Sequence, residues 1–236
     1  MQMAGTYLVE GDSVYDGTGG LAPGKKDNIK MIKEFKYLLF DLGGVLVELT
    51  GGSDFMRWMN YRATNEEFSE LWLHSPSVRL FESGRISSDE FAEQLVKEFK
   101  FNIEPDQFIK AFSRFPIGMF DGAEAFLESL SKLYPTACLS NTNSLHWEWM
   151  SKYTRIEQLF DKCLLSFRTG YMKPDRETFI HAAKELECAP QEIIFFDDNP
   201  TNVAAASEVG FNAFLVEGFE DLIKKLGELG IPVTGT

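Results

Sequence analysis

At 236 residues and 44% hydrophobic, the chain can bury a core, and its length suits one domain with an insertion or two small domains. A formal charge of -13 argues against a nucleic-acid partner, which needs clustered Lys and Arg to displace counterions. No apolar run approaches the roughly 20 residues of a membrane span, and Met1 to Lys36 lacks the apolar centre of a signal peptide.

Residues 1–35 carry Gly11, Gly17, Gly19, Gly20, Pro23 and Gly24, which break any periodicity, and read as a flexible leader or appended sequence. Tyr7-Leu-Val9 and Ser13-Val-Tyr15 are weak candidates for short strands within it. The run Lys36-Tyr-Leu-Leu-Phe-Asp41-Leu-Gly-Gly-Val-Leu-Val47 is more informative. A buried strand there delivers a carboxylate to its C-terminal end, and Gly43 and Gly44 leave room for close approach to the backbone. A nucleophile or metal ligand is mounted in this way.

From about Gly51 to Pro116 aromatic residues recur at helical spacing, as in Phe55, Trp58 and Met59, then Phe68, Leu71 and Trp72, then Phe91, Leu95 and Phe99. Ser87 with Glu90 is a capping box that starts a helix over Ser88 to Lys100, and Pro105 starts the next. An all-helical insertion is expected.

Beyond it, helices over Gly122 to Leu133, Leu145 to Lys152, Arg176 to Leu186 and Thr201 to Val209 alternate with strands. Those strands are Thr136 to Leu139, Lys162 to Leu165, Ile193 to Phe196 and Ala213 to Val216. The alternation predicts a doubly wound, Rossmann-like parallel sheet with helices on both faces. Ligands then bind outside the carboxyl ends of the strands. Asp41, the Ser140-Asn141-Thr142-Asn143 cluster and the pair Asp197-Asp198 all fall at such ends, and Lys173-Pro174 lies in a loop.

In this order the clusters resemble the motifs of the haloacid dehalogenase superfamily, over about Phe35 to Val216. The branch resembled most contains glucose-1-phosphatase-like sugar phosphatases. The resemblance implies an α/β core over 36–50 and 117–236, with residues 51–116 as a helical cap over the active site. It implies a magnesium-dependent phosphatase acting on a small phosphate ester, such as a sugar phosphate, through an aspartyl-phosphate. Asp41 is then the nucleophile, and Mg2+ is held by Asp41, the Gly43 carbonyl and Asp198, with Asp197 close by. Ser140 and Asn141 are assigned to the phosphoryl group and Lys173 to its developing charge, although Asn141 and Asn143 are as readily helix caps. Asn202 replaces a further acid and is expected to anchor the loop or a metal-bound water.

Gly43 departs from the family pattern, which usually places a second aspartate there to protonate the leaving alcohol. Loss of that acid favours substrates with an acidic leaving hydroxyl, such as an anomeric one. The alternatives are a 2-haloacid dehalogenase-type hydrolase and a weakened phosphate-binding protein. Trp72, His74, Arg79 and Arg85 are possible substrate contacts from the cap, whereas His74, His146 and His181 form no constellation and read as surface or packing residues. Cys138, Cys163 and Cys188 lack zinc spacing and suit a reduced, cytoplasmic protein, monomeric or homodimeric, without a membrane partner.

Overall fold

Tyr37–Phe40 forms the centre of a parallel sheet because its residues are apolar in succession and, from Leu38 to Phe40, are buried on both faces. The computed structural model describes residues 9–10, 13–14, 35–50, 53–59 and 64–232. Its strands in chain order are β1 (Val9–Glu10), β2 (Ser13–Val14), β3 (Tyr37–Phe40), β4 (Val47–Leu49), β5 (Pro116–Met119), β6 (Thr136–Ser140), β7 (Lys162–Leu165), β8 (Ile193–Asp197) and β9 (Asn212–Leu215). β1 and β2 pair antiparallel. The rest of the leader lies outside the described residues.

The main sheet has the order β7-β6-β3-β8-β9, parallel throughout. Side chains alternate across it. Leu38 and Phe40 enter one core with Phe126, Leu127, Trp147, Met150 and Leu222. Leu39 faces the opposite core, with Phe179, Ala182 and Ala206. The helices that supply these residues are α6 (Ala123–Leu130), α7 (Ser144–Tyr153), α9 (Arg176–Glu185), α10 (Pro200–Val209) and α11 (Phe219–Glu228). The expected doubly wound sheet is therefore present, with β6 and β8 each running one residue further than the apolar pattern indicates.

Between β4 and β5 the described elements are helical: α1 (Ser53–Met56), α2 (Asn65–His74), α3 (Pro76–Glu82), α4 (Ser88–Glu98) and α5 (Pro105–Phe112). The capping box at Ser87 and Glu90 is formed, and a second one, at Thr64 and Glu67, starts α2. Each satisfies backbone N–H groups that a helix start leaves unpaired. The aromatic stripes meet in a separate core, in which Phe81 stacks on Phe91 at 4.3 Å and Phe108 on Phe112 at 5.3 Å. The antiparallel pairing of β4 with β5 is absent from the sequence reading. Both strands are short, and Pro116 and Gly118 look like turn chemistry.

Among the described residues, the contacts that join this helical unit to the sheet domain include one at Gly84 and one at His146. Gly84, at φ +70, sits so close to α8 (Ser166–Thr169) that a Cβ would lie 2.2 Å from the Phe167 carbonyl oxygen. His146 on α7 packs against Phe112 at 4.2 Å between ring centroids, and its Nε2 lies 2.9 Å from the Phe112 carbonyl oxygen. Its Nδ1 lies 3.0 Å from the Asn143 amide nitrogen. The neutral Nε2–H tautomer satisfies both contacts, donating to the carbonyl and accepting from the amide.

Burial holds the His146 imidazolium down, to a pKa of about 3, against the opposing pull of the Phe112 carbonyl. Its folded value is below its unfolded one, so this neutral packing contributes fully above about pH 6.5 and loses its contribution as pH falls toward 3. By pH 5 the loss from this residue is about 2 kcal/mol. Urea midpoints measured from pH 7 to 4 should therefore fall more steeply for the natural protein than for His146→Phe; parallel curves would remove His146 from the acid limb.

Candidate active site

β3 and β8 run side by side in a register that sets Phe40 beside Phe196. The residues that follow, Asp41 and Asp197, thus emerge at the same level of the sheet's carboxyl edge. The Asp41 N–H donates to the Phe196 carbonyl at 2.8 Å, which fixes the start of the loop. Asp41, Asp197 and Asp198 each offer a carboxylate oxygen, all within 4.8 Å of one another. Asp197 is wholly buried.

Lys173 reaches into this group from the loop after α8. Its Nζ is 2.9 Å from Asp41 Oδ1 and 2.6 Å from Asp197 Oδ2, with 2% of its side chain exposed. Asp41 Oδ1 also accepts the Leu42 N–H at 2.7 Å. Asp197 Oδ1 accepts the Asn199 N–H, and the Asn202 amide donates to both Asp197 oxygens at 3.0 and 3.1 Å. Asn202 therefore anchors the loop, one of the two roles expected for it, by donating where another acid would only add repulsion.

Burial pushes the Asp41 carboxyl up to about 7; the Lys173 charge opposes the rise, while Asp197 and Asp198 add to it. Burial also works against the Lys173 ammonium, but the charges of Asp41 and Asp197 outweigh it and hold its pKa above the usual lysine value. Asp198 is raised by burial and by the charge of Asp197. One ammonium thus faces three close carboxylates. A hard divalent cation fits such an all-oxygen donor set and supplies the charge that the cluster lacks.

Gly44 makes the cluster possible. Its φ is +73, and a Cβ would lie 2.2 Å from Asp198 Oδ2. The room left by this glycine is filled by a carboxylate of the protein itself. Gly43 is less constrained, since a Cβ there would meet only the tip of Leu49, at 3.0 Å.

The other expected residues are dispersed around this centre. Ser140 ends β6 and lines a cavity together with Gly43, Asn141 and Thr142. Asn141, assigned to substrate in the sequence reading, has both ends of its amide engaged by Lys173: Nδ2 donates to its carbonyl at 2.8 Å and Oδ1 accepts its N–H at 2.9 Å. Its geometry positions the lysine. Asn143 caps α7 by accepting the His146 N–H. The Thr142 loop is clamped by Ser166, whose hydroxyl accepts the Thr142 N–H and donates to its carbonyl; no sequence signal points to that serine. Trp72 lines the cavity, whereas Arg79 pairs with Asp175 and His74 with Glu70 at the surface. His181 stacks against Tyr171.

A model of the haloacid dehalogenase-like hydrolase family matches residues 35–210. The D-ribitol-5-phosphate phosphatase of Bacteroides thetaiotaomicron is 26% identical over 202 residues, covering 81% of this chain and 96% of its own. A sesquiterpene phosphatase of Aspergillus oryzae is 27% identical, covering 76% of this chain and 89% of its own. A crystal structure of an enzyme of the same family from B. thetaiotaomicron, in complex with magnesium and inorganic phosphate, superimposes with a TM-score of 0.64. It is 25% identical and covers 77% of this chain and 94% of that one.

The glycine pair yields a prediction that needs no substrate. Gly44→Ala should cost about 1–3 kcal/mol of stability and weaken magnesium binding measured by calorimetry, because Asp198 must move. Gly43→Ala should do less of both. Equal behaviour of the two variants would mean that Asp198 does not depend on the Gly44 gap.

Proposed function

Because the chain belongs to the haloacid dehalogenase-like hydrolase family, we propose that it is a magnesium-dependent phosphatase that hydrolyses a small phosphate monoester through a covalent intermediate on Asp41. The observation that carries this reading is the meeting of Asp41, Asp197 and Asp198 around the Lys173 ammonium. Asp41, the Gly43 carbonyl, Asp197 and Asp198 would hold the magnesium ion. When bound, it would neutralise charge on the phosphoryl oxygens and orient them for in-line displacement.

The chain's own residues supply the remainder. Asp41 Oδ1 is occupied by Lys173 and the Leu42 N–H, so Oδ2 is the oxygen that attacks phosphorus. The new O–P bond forms as the ester O–P bond breaks, and the alcohol leaves with a proton from solvent. Water then cleaves the acyl phosphate, which restores Asp41 and releases inorganic phosphate. Lys173 meets negative charge developing on the transferring group, and the Ser140 hydroxyl donates to one of its oxygens. Asn141 holds the Lys173 backbone in place for this.

The proposal includes the division of the chain into a core over 36–50 and 117–236 and a helical cap over 51–116. It also includes a cytoplasmic setting and a monomer or homodimer. Among the described residues no helix is long and apolar enough to cross a membrane. The two relatives differ by name in the alcohol, a polyol in one and a sesquiterpene in the other.

Asp41→Asn should abolish magnesium-dependent phosphate release while leaving the fold intact; activity that survives both this variant and EDTA would refute the nucleophile and the metal together. Without an acid at Gly43, kcat/KM should rise steeply with leaving-group acidity among esters of similar size, and Gly43→Asp should flatten that dependence. General acid–base help is worth about 10²–10⁴-fold, which sets the size of the effect. A flat dependence in the natural protein would show that another group delivers the proton.

A further inference from the structure

The crevice holding Gly43, Ser140, Asn141 and Thr142 opens into a cavity of about 430 Å³ walled on its other side by the helical unit. Its size is that of a small-molecule pocket. Away from the crevice the wall is hydrocarbon and aromatic: Phe55, Phe68, Trp72 and Phe112 come from the helices, and Trp147 and Met150 from α7. Among the described lining residues none is Lys or Arg. The polar groups on that wall include His146, whose ring nitrogens already have protein partners, Glu82, and the indole N–H of Trp147, which is buried without a protein partner.

A polyhydroxy alcohol seated here would surrender its hydrogen bonds to water and find few replacements, a loss for every hydroxyl left unpaired. An apolar alcohol loses nothing comparable and removes its own surface from water against aromatic rings. Burial also pushes the Glu82 carboxyl up to about 7, so near neutral pH this acid carries less than the full charge that would disfavour an apolar neighbour.

We infer that the enzyme takes phosphate monoesters of hydrocarbon-rich alcohols, with the alkyl, prenyl or aryl group lodged in the aromatic-walled cavity and the phosphate at Asp41 and Lys173. This substrate class rests on the phosphatase reading above. Leu49 and Leu73 line the cavity and are 41% and 69% exposed, so both can be made polar without disturbing the buried cores.

The test is kcat/KM, with magnesium, for ethyl, butyl and octyl phosphate, whose leaving groups are similarly acidic, beside ribitol 5-phosphate and 4-nitrophenyl phosphate. Each methylene that becomes buried should raise kcat/KM about three- to fourfold, so octyl phosphate should exceed ethyl phosphate by about 100-fold or more. It should also exceed ribitol 5-phosphate. Leu49→Asn and Leu73→Asn should each reduce the octyl-to-ethyl ratio. A ratio near one, or a preference for ribitol 5-phosphate, would overturn the inference while leaving the phosphatase reading intact. If every ester, including 4-nitrophenyl phosphate, is inert, the phosphatase reading fails. The cavity is then judged by tryptophan fluorescence titration with octylphosphonate and ethylphosphonate, where tighter octyl binding supports an apolar ligand and equal binding refutes it.

Discussion

The Lys173 ammonium, buried between Asp41 and Asp197, is the interaction on which the site depends. It brings a cation to the point where adjacent parallel strands deliver acids at the same level. Removing that cation would leave buried carboxylates facing one another, an arrangement that ordinarily forces one of them to take up a proton. Its backbone is latched by Asn141, and Asp197 is steadied by Asn202. Lys173, from one loop, is therefore tied to acids at the ends of two strands and to an amide that follows a third.

Such an arrangement is poor evidence for stability, because stripping water from buried charges offsets much of their attraction. Stability resides instead in the apolar cores on the two faces of the sheet and the aromatic core of the helical unit. These cores bear the cost of a site whose charges do not balance. The imbalance matters for the proposed function: an all-oxygen cluster short of positive charge suits a hard cation, which an anionic substrate can share.

Much of this was legible in the sequence because the signals were local. The apolar run from Tyr37 to Phe40 identified a buried strand, and Asp41 and Asp197 at strand ends marked the crevice. Ser87 with Glu90, and Pro105, marked the helix starts that α4 and α5 adopt. The parts that escaped depend on contacts distant in the chain. The β4–β5 pairing joins residues about 70 positions apart, and neither strand is long enough to show an alternating pattern. The engagement of Asn141 by Lys173 and the clamp from Ser166 are likewise tertiary. Gly44 was visible as a glycine, but its reason, the carboxylate of Asp198, was not. The apolar wall of the cavity was hidden in aromatic stripes whose helical spacing reads simply as core; some of those rings, Phe55, Phe68 and Phe112 among them, face both the core and the cavity.

Acid-quench mass spectrometry during turnover tests most directly whether Asp41 acts as a nucleophile beside the shared Lys173 ammonium. With magnesium and 4-nitrophenyl phosphate, the peptide containing Asp41 should carry a phosphoryl group that hydroxylamine removes, and Lys173→Met should accumulate far less of it. Steady phosphate release with no phosphoryl group on that peptide, or with the group on another residue, would contradict the account.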